Sequence, residues 1–350
     1  MHSARVHSDE MHDSPGAIAE SLSGCRVDSI EPAATGGNSR IYRVRCGREN
    51  FALKCYPPRG QDPRDRASTE FKALGFLERH CPGRAPRAYA VDAEGGYLLL
   101  EWIEGSRVRE VAPADVDSAV AFLGGLFDAS TDPDARDLPY ASEACLSGEE
   151  VVRQLLHRES GLRAMACDQR VLIEFLDHEF APARERLVEQ ARAGSARAGL
   201  DFPAELEPSA RSLVPSDFGF HNALRKANGA LIFVDHEYFG WDDPVKVTAD
   251  FLLHPATPLA RDMAERFWCR VSACRENDKS FRARLKLLYP LFGARWCLIL
   301  LNEFLPERWA GRVFAGASRQ WESVKLEQLR RSRDLLQKIS HGSPDFCHER

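Results

Sequence analysis

The chain has 350 residues, 44% of them apolar and 28% charged, so it can bury one large core or two ordinary ones. Lysine and arginine number 47 against 52 aspartates and glutamates, which gives a net charge of −5. Because a mildly acidic chain is a poor match for a phosphate backbone, the composition argues against a nucleic-acid partner.

The terminal and cysteine patterns indicate a cytoplasmic protein. The N-terminal residues contain no apolar signal core, and the most apolar stretch, 296–304, is too short to span a bilayer. The ten cysteines form no C-x-x-C pair and no zinc-site spacing with histidine. This pattern is typical of reduced, mostly buried thiols. We therefore expect no membrane partner.

The predicted elements change in character along the chain. Residues 1–28 are polar and predict a flexible tail, with a short helix near Ala17. Alternating patterns follow, with strands at 40–46, 50–56, 90–92 and 97–103 and a helix at 63–80. Helical periodicity then dominates, at 113–129, 148–158, 168–192, 245–253, 258–275, 279–310 and 318–339, before a C-terminal tail at 341–350.

This order predicts an α+β fold with two lobes. The first lobe, 29–105, is a small antiparallel β lobe with one helix, and it ends in a connector at 101–105. The second lobe, 106–340, is larger and mainly helical, and it contains one island of strands and loops at 212–243. A cleft between two such lobes is where we expect a ligand to bind.

A glycine-rich loop lies between two of the predicted strands. Thr35 and Ser39 bracket the residues Gly36, Gly37 and Asn38. Paired glycines allow backbone N–H groups to approach an anionic group such as a phosphate. Because most glycine pairs form ordinary turns, this motif carries little weight by itself.

Lys54 lies in the middle of a predicted strand, on the same face as Ala52. A buried ammonium group needs a charged partner, and the small side chain of Ala52 would leave room for a flat ring beside the lysine. Glu70 borders the inward stripe of the following helix and is the candidate partner, with Glu78 as its rival. The alternative is that these charged residues are solvated.

The island carries the strongest chemical signal. Asn228–Gly229 predicts a two-residue hairpin turn, and in that register Asn222 lies directly opposite Asp235. An amide oxygen and a carboxylate at that separation can share Mg²⁺. Asp217, on the loop entering the hairpin, could orient or deprotonate an attacking hydroxyl. The alternative is that Asp217 caps a turn, Asn222 forms a local hydrogen bond and Asp235 ends a strand.

Five neighbouring residues could support the metal site or contact a substrate: His221, Glu237, Trp241, Asp242 and Asp243. We interpret His221 as a supporting histidine rather than a catalytic base. Glu237 follows Asp235 closely enough to approach the metal or the phosphates. Asp243 precedes a proline, so we expect it to brace the loop and cap the following helix.

These residues, in this order, resemble the aminoglycoside phosphotransferase and choline kinase family, which is distantly related to protein kinases. The resemblance covers about residues 30–340, and its most specific part is Asp217-x-x-x-x-Asn222 followed by Asp235. That pattern looks like the family's catalytic loop and metal-binding aspartate. The resemblance therefore implies Asp217 as the catalytic residue and Asn222 and Asp235 as the metal ligands.

The same resemblance implies a protein-kinase-like fold and a nucleotide site. Its nucleotide-binding residues would be Gly36, Gly37, Asn38, Ser39, Ala52, Lys54, Glu70, Glu101 and Ile103. In this set Lys54 and Glu70 look like the phosphate-binding lysine and the helix glutamate. Glu101 and Ile103 belong to a segment that looks like the connector whose backbone hydrogen-bonds adenine. The implied cofactors are ATP, or alternatively GTP, and Mg²⁺.

The implied activity is transfer of the γ-phosphate of ATP to a hydroxyl of a small molecule, such as an aminoglycoside, an amino sugar, a choline-like compound or another alcohol. One departure concerns the two residues before Asp217. The family usually has His-Gly there, and this chain has Pro215-Ser216. Because that histidine supports the loop, the change bears on loop geometry more than on the reaction. The alternatives are a catalytically inactive, kinase-like nucleotide-binding regulator and a nucleotidyl transferase.

Overall fold

The computed structural model describes residues 14–35, 39–57, 64–165, 168–306, 309 and 320–341. The chain divides into two compact units, the first comprising 1–71 and 87–102 and the second 72–86 and 103–350. The sequence placed 72–86 with the β-rich part. In the structure Arg79 pairs with Asp134 and the carbonyl of Arg84 accepts the N–H of Phe233, so this segment packs within the second unit.

The first unit is a five-stranded antiparallel sheet with helices beside it. Its elements are α1 (Pro15–Ser23), β1 (Ser29–Thr35), β2 (Arg40–Cys46), β3 (Glu49–Cys55), the start of α2 (Arg66–His80), β4 (Ala88–Asp92) and β5 (Tyr97–Glu101). The strands lie in the order β1-β2-β3-β5-β4, and every pair is antiparallel. The predicted antiparallel β lobe is confirmed.

Helix α1 covers one face of this sheet. The Ser14 hydroxyl caps the helix by accepting the N–H of Ala17, and Gly24 ends it in the left-handed conformation. Ile18 and Ala19 are buried in a cluster with apolar strand residues that comprise Val44, Cys46, Phe51, Leu53 and Leu99. The predicted short helix is present. The prediction of a flexible tail is wrong for residues 15–23, because they bury apolar side chains.

The second unit is mainly helical. Its α-helices in the described residues include α3 (Pro113–Ala129), α4 (Gly148–Met165), α5 (Arg170–Phe175), α6 (Ala181–Arg197), α7 (Pro244–Leu253), α8 (Arg261–Ala273), α9 (Phe281–Leu300) and α10 (Trp321–Ser340). A π-helical turn at Leu176–Phe180 joins α5 to α6, so the helix predicted at 168–192 is interrupted and runs five residues further. The helix predicted to end at 310 ends at Leu300 and passes into a 3₁₀ turn.

Helix α9 lies in the core of the second unit. Among the described residues, only the segment Phe281–Phe304 is long and apolar enough to cross a membrane, and 72% of its most apolar window is buried inside the protein. The helix also carries Arg295, whose guanidinium donates to Asp250 at 2.9 Å. Its apolar character is that of a buried core helix.

Short strands in the second unit frame the loops that hold the candidate catalytic residues. Strand β7 (Ser212–Val214) pairs with β10 (Gly240–Asp242). Strand β8 (Ala223–Arg225) pairs with β6 (Ser106–Arg107) on one side and with β9 (Leu231–Phe233) on the other. The loop after β7 contains Asp217 and Asn222, and the segment after β9 begins with Val234 and Asp235.

The turn of the β8–β9 hairpin differs from the prediction. The Gly229 N–H donates to the Lys226 carbonyl, and the Lys226 N–H donates to the Ala230 carbonyl, both at 2.9 Å. Gly229 has a φ of 85°, and the Asn228 side chain accepts the N–H of Ala230. These bonds define a three-residue loop with a left-handed glycine, where a two-residue turn was predicted.

The extra loop residue moves the strand register by one position. Ala223 faces Phe233, so the next pair outward is Asn222 with Val234. The Val234 N–H donates to the Asn222 carbonyl at 2.9 Å. The predicted pairing of Asn222 with Asp235 is therefore wrong, and Asp235 is the next residue after the one that faces Asn222.

Candidate functional site

The Asp217 loop, residues 215–222, presents a carboxylate held by two side chains of the same loop. The Nε2 of His221 lies 3.1 Å from Asp217 Oδ1. The Asn222 amide donates to the Asp217 carbonyl at 2.9 Å and to Oδ2 at 3.3 Å. Burial raises the pKa of Asp217, but the contacts with His221, His254 and Asn222 together outweigh burial, so the pKa lies below its ordinary value. Asp217 is an anion at neutral pH, with 36% of its side chain exposed.

Aromatic packing holds this loop in place. Phe218 and Phe220 are both buried. The ring of Phe218 stacks on Phe122 at 5.5 Å and on Phe251 at 5.4 Å between centroids, and Phe220 meets Phe251 edge-on at 5.3 Å. Because Phe218 and Phe220 alternate with Asp217 and His221, the apolar positions of the loop anchor it in the core while the polar residues form the site.

Ser216, directly before Asp217, has a strained backbone. Its φ is 61°, in the left-handed region that glycine enters without steric cost. The residue is 9% exposed, and its hydroxyl has no hydrogen-bond partner among the described residues. The serine of the Pro215-Ser216 departure therefore occupies a conformation suited to the glycine of the family pattern.

Replacing Ser216 by glycine should raise the free energy of unfolding by about 1 kcal/mol, because it relieves the strained φ and removes a buried hydroxyl. Urea unfolding at neutral pH measures this change. The matched control is Ser323→Gly, at an exposed position of α10, where glycine should lower stability by about 0.5 kcal/mol. A loss of stability in Ser216→Gly equal to that of the control would contradict the prediction.

His254 closes the other side of the site. Its ring is parallel to that of His221, with centroids 3.7 Å apart and an interplanar angle of 3°. Its Nε2 lies 3.7 Å from Asp217 Oδ1. Burial lowers the pKa of His254 to about 4, and the charge of His221 adds to this effect, while Asp217 opposes it. His254 is therefore neutral at pH 7.

The free energy of unfolding should fall as the pH drops from about 6.5 to about 4. In this range the unfolded chain protonates His254, whereas the folded protein keeps it neutral, so protons favour the unfolded state. The loss should approach about 3 kcal/mol, since one pKa unit corresponds to about 1.4 kcal/mol. Urea unfolding across this range should show a shallower fall for His254→Phe. If the free energy of unfolding fell equally with pH in His254→Phe and in the wild type, His254 would not be the source of the pH dependence.

Asn222 and Asp235 supply oxygen atoms suited to a divalent cation. The Asn222 amide nitrogen is engaged with Asp217, so the side-chain oxygen is the atom left for a metal ion. Asp235 is half-buried and has a φ of 69°, which aspartate tolerates better than most residues. Amide and carboxylate oxygens are hard ligands of the kind Mg²⁺ prefers, so the donor set fits this ion.

The first unit contains a buried ion pair. The Lys54 ammonium lies 2.8 Å from Glu70 Oε2, with the two residues 3% and 1% exposed. The Tyr56 hydroxyl donates to the same carboxylate oxygen, and the ammonium lies 4.9 Å from the centre of the tyrosine ring. The predicted Lys54–Glu70 pair is present. Tyr56 was missed, although its position two residues after Lys54 in the strand predicted at 50–56 was a usable signal.

The other predicted nucleotide-binding residues lie in the glycine-rich loop, in β3 and at the end of β5. Gly36, Gly37 and Asn38 lie outside the described residues, and Ser39 is half-buried. Ala52 is buried in β3. Glu101 ends β5, where its N–H donates to the Arg87 carbonyl at 2.8 Å, and Ile103 is buried. Their contacts with a nucleotide remain predictions.

The acidic residues near β10 have supporting contacts. Asp242 is fully buried, pairs with Lys246 at 2.9 Å and accepts the N–H of Cys145 at 2.7 Å. Burial raises the pKa of Asp242, and the attraction of Lys246 partly offsets this rise. Because the Asp242 carboxylate is fully buried in these contacts, it is not exposed to a substrate. Lys246 was not among the predicted site residues, although it lies only four residues after Asp242.

Asp243 also has a structural role. It accepts the N–H of Val245 at 2.9 Å and so caps α7, as predicted, and its other contact is an ion pair with Arg284 at 3.0 Å. Trp241 donates its indole N–H to the Ala135 carbonyl at 3.0 Å. Glu237 is buried in the segment that follows Asp235. A role for Trp241 or Glu237 toward metal or substrate remains a prediction.

A cavity of about 670 Å³ opens in the second unit. Its polar lining includes Tyr140 and two ion pairs, Arg158 with Glu143 and Arg153 with Glu150. A hydrogen bond joins the cavity wall to β10, since the N–H of the lining residue Ala141 donates to the Trp241 carbonyl at 3.0 Å. A cavity of this volume suits a small molecule rather than a polymer.

The described cysteines are free thiols, as the sequence predicted. Four of them are buried: Cys46, Cys81, Cys145 and Cys297. Burial raises the pKa of Cys46, Cys55 and Cys81 to about 11, so these thiols are protonated at neutral pH. They are inert packing residues rather than nucleophiles.

A known protein family and several solved structures are similar to this chain. The sequence profile of the phosphotransferase enzyme family matches residues 29–276. A search of curated protein sequences found no significant match. Among solved structures, a choline kinase from Streptococcus pneumoniae is similar, with 15% identity, a TM-score of 0.58, and coverage of 92% of this chain and 98% of that one.

Two further structures are similar. An ethanolamine kinase from Plasmodium vivax has 13% identity and a TM-score of 0.55, with coverage of 87% of this chain and 82% of that one. An ADP-bound aminoglycoside phosphotransferase, APH(2″)-Ib, has 14% identity and a TM-score of 0.54, with coverage of 93% and 96%. At such low identities these similarities establish the fold, and the predicted protein-kinase-like fold is confirmed.

Proposed function

Because the chain belongs to the phosphotransferase enzyme family, we propose that it is an ATP- and Mg²⁺-dependent kinase that phosphorylates a hydroxyl of a small molecule. The observation that carries this proposal is the arrangement in the second unit. The Asn222 side chain bonds to the Asp217 carboxylate, and the Asn222 backbone pairs with Val234, the residue before Asp235. The β8–β9 hairpin and the loop that enters it thus supply the proposed catalytic carboxylate and both proposed metal ligands.

In this proposal Asp217 acts on the acceptor hydroxyl. Phosphoryl transfer asks the protein mainly for positioning and charge stabilisation. Asp217 is ionised, and its Oδ2 accepts from Asn222 only at 3.3 Å, so that oxygen can accept or orient the proton of the attacking hydroxyl. When bound by Asn222 and Asp235, Mg²⁺ would offset charge on the phosphate oxygens.

Lys54 is assigned to the phosphates that stay on the nucleotide. Its ammonium is fixed in direction by Glu70 and by the ring of Tyr56, so little side-chain freedom would be lost when a phosphate binds. The glycine-rich loop at 35–39 and the connector residues Glu101 and Ile103 remain the predicted contacts for phosphate and adenine.

The acceptor is proposed to be a small alcohol, with no nucleic-acid or membrane partner, in a cytoplasmic setting. The similar structures carry the names of choline, ethanolamine and aminoglycoside enzymes, which belong to those proteins. The 670 Å³ cavity in the second unit can hold a molecule of any of these sizes. An acceptor panel should therefore span amino alcohols, amino sugars and aminoglycosides.

The test combines nucleotide binding with turnover. Thermal shift with Mg·ATP and Mg·GTP is measured on the wild type, on Asp235→Asn and on the control Asp137→Asn, which changes an exposed aspartate. Asparagine is chosen because it tolerates the left-handed backbone at position 235. We expect Mg²⁺-dependent stabilisation in the wild type and the control that is weakened in Asp235→Asn, with ADP release in the presence of an acceptor from the panel.

Other results would lead to different functions. Mg·ATP binding without ADP release for any acceptor would favour the inactive nucleotide-binding regulator. Release of pyrophosphate in place of ADP would identify a nucleotidyl transferase. The absence of any response to either nucleotide would contradict both the site and the mechanism.

A further inference from the structure

The residues on the N-terminal side of Asp217 do not support its carboxylate. Pro215 has no side-chain donor, and the buried hydroxyl of Ser216 has no hydrogen-bond partner among the described residues. The contacts of Asp217 Oδ1 come from two histidines, His221 within the Asp217 loop and His254 just beyond the end of α7. These two residues are 33 positions apart in the sequence.

The His221 ring is held on one face and at one edge. On its face the His254 ring stacks with a centroid separation of 3.7 Å. At its Nδ1–Cε1 edge lies Gly219, where an added Cβ would be 2.7 Å from His221 Nδ1 and 2.8 Å from Cε1. Any larger residue at 219 would therefore collide with the ring. This arrangement fixes the direction in which His221 Nε2 points toward Asp217.

His254 is itself fixed by contacts outside the loop. Its Nδ1 accepts the N–H of Ala256 at 3.2 Å, so in the neutral ring the proton is on Nε2, which faces Asp217. The Trp296 ring of α9 meets it edge-on at 4.7 Å, and the Trp296 indole donates to Asp250 at 2.9 Å. His254 thus connects the Asp217 loop to two core helices.

A metal site formed by Asp217, His221 and His254 would be the alternative reading, because their ligand atoms lie within 4.8 Å of one another. The ring geometry opposes it. A metal ion must lie near the plane of each imidazole that binds it, and two parallel rings 3.7 Å apart share no such point. His254 Nε2 also carries the proton, so it is a donor and not a ligand.

We propose that His254 is a positioning residue for Asp217, which acts by clamping the His221 imidazole: His254 stacks on the ring face while Gly219 abuts the Nδ1–Cε1 edge, so that His221 Nε2–H holds Asp217 Oδ1. This inference rests on the proposed function of Asp217. With Oδ1 held in this way, Oδ2 is the oxygen turned toward the acceptor hydroxyl. The low pKa of His254 agrees with the clamp, since a neutral ring stacks on His221 without charge repulsion.

The test compares two substitutions at one position. His254→Ala removes the stacked ring, His254→Phe keeps an aromatic ring without its N–H, and His178→Ala is the control at an exposed histidine. Turnover is measured as ADP release from Mg·ATP, with water or a panel alcohol as acceptor, and the KM for Mg·ATP is measured alongside. We expect His254→Ala to lower kcat about 10- to 100-fold with KM changed less than about 2-fold, as for a misplaced catalytic group. His254→Phe should recover most of the loss.

A second readout does not depend on activity. Nitrogen–proton NMR correlations of the imidazoles report the Nε2–H of His221 bonded to Asp217. We expect this signal to persist in the wild type, in His254→Phe and in the control, and to be lost through exchange with water in His254→Ala. Persistence of the signal in His254→Ala, or a kcat within about 2-fold of the wild type, would overturn the proposal.

The two failures are distinguishable. If the wild type binds no nucleotide, the proposed function fails, while the NMR comparison still decides whether His254 orients His221. If the wild type turns over normally and His254→Ala retains its kcat, only the positioning role fails. Equal losses in His254→Ala and His254→Phe would also overturn it, because stacking would then not be the property that matters.

Discussion

Replacing Asp217 by asparagine should lower kcat for phosphoryl transfer by about 10³-fold, within the range typical of a lost general base. Asparagine has nearly the same shape, so the contacts with His221 and Asn222 can reorganise without opening the loop. What is lost is the ionised oxygen that accepts or orients the proton of the hydroxyl. The KM for Mg·ATP should change little, because Asp217 is not among the proposed nucleotide contacts.

The measurement is ADP release at saturating acceptor, together with thermal shift by Mg·ADP. The control Asp137→Asn changes an exposed aspartate of a surface 3₁₀ turn and should retain the wild-type kcat. If Asp217→Asn kept more than about a tenth of the wild-type kcat while still binding nucleotide, Asp217 would not be the catalytic residue.

Replacing Lys54 by methionine should lower the free energy of unfolding by about 3–5 kcal/mol, because it leaves the buried Glu70 carboxylate without its ammonium partner. Nucleotide binding should weaken as well, since Lys54 is the proposed phosphate contact. Urea unfolding measures the first effect, and titration with Mg·ADP at low temperature, where the variant is folded, measures the second.

A double variant separates the two effects. Lys54→Met combined with Glu70→Gln removes both charges, so it should recover part of the lost stability without recovering Mg·ADP affinity. The control Lys72→Met changes an exposed lysine of α2, the helix that carries Glu70. It should alter the free energy of unfolding by less than about 0.5 kcal/mol. Recovery of Mg·ADP affinity in the double variant would show that Lys54 is a structural residue only.

The positions of most strands and helices could be predicted from the sequence. The bounds of β2 and α3 match the predicted ranges, because alternation over seven residues and helical periodicity over seventeen are strong local signals. The Lys54–Glu70 pair was also predictable, since a lysine in an apolar strand needs a charged partner nearby. Turn geometry was less readable. Asn228–Gly229 indicated a hairpin, but both two- and three-residue loops use a left-handed glycine.

In the candidate site, too, the sequence predicted the residues but not all of their contacts. The sequence pointed to Asp217, Asn222 and Asp235 because their spacing and residue types suit one reaction. It did not show how the Asp217 carboxylate is held. The stacking of His254 on His221 joins residues 33 positions apart, and no periodic pattern encodes a contact of that range.

By itself, therefore, the sequence determined the fold class, the limits of most helices and strands, and the residue types of the candidate site. These properties depend on neighbours within one or two turns of the chain. Only the tertiary structure decided the register at Asn222, the full burial of the Asp242–Lys246 pair and the clamp on His221. The register follows from the geometry of the turn at 227–229. The burial of the ion pair and the clamp depend on how distant segments pack, and packing is set by the shape of the assembled core rather than by any local pattern.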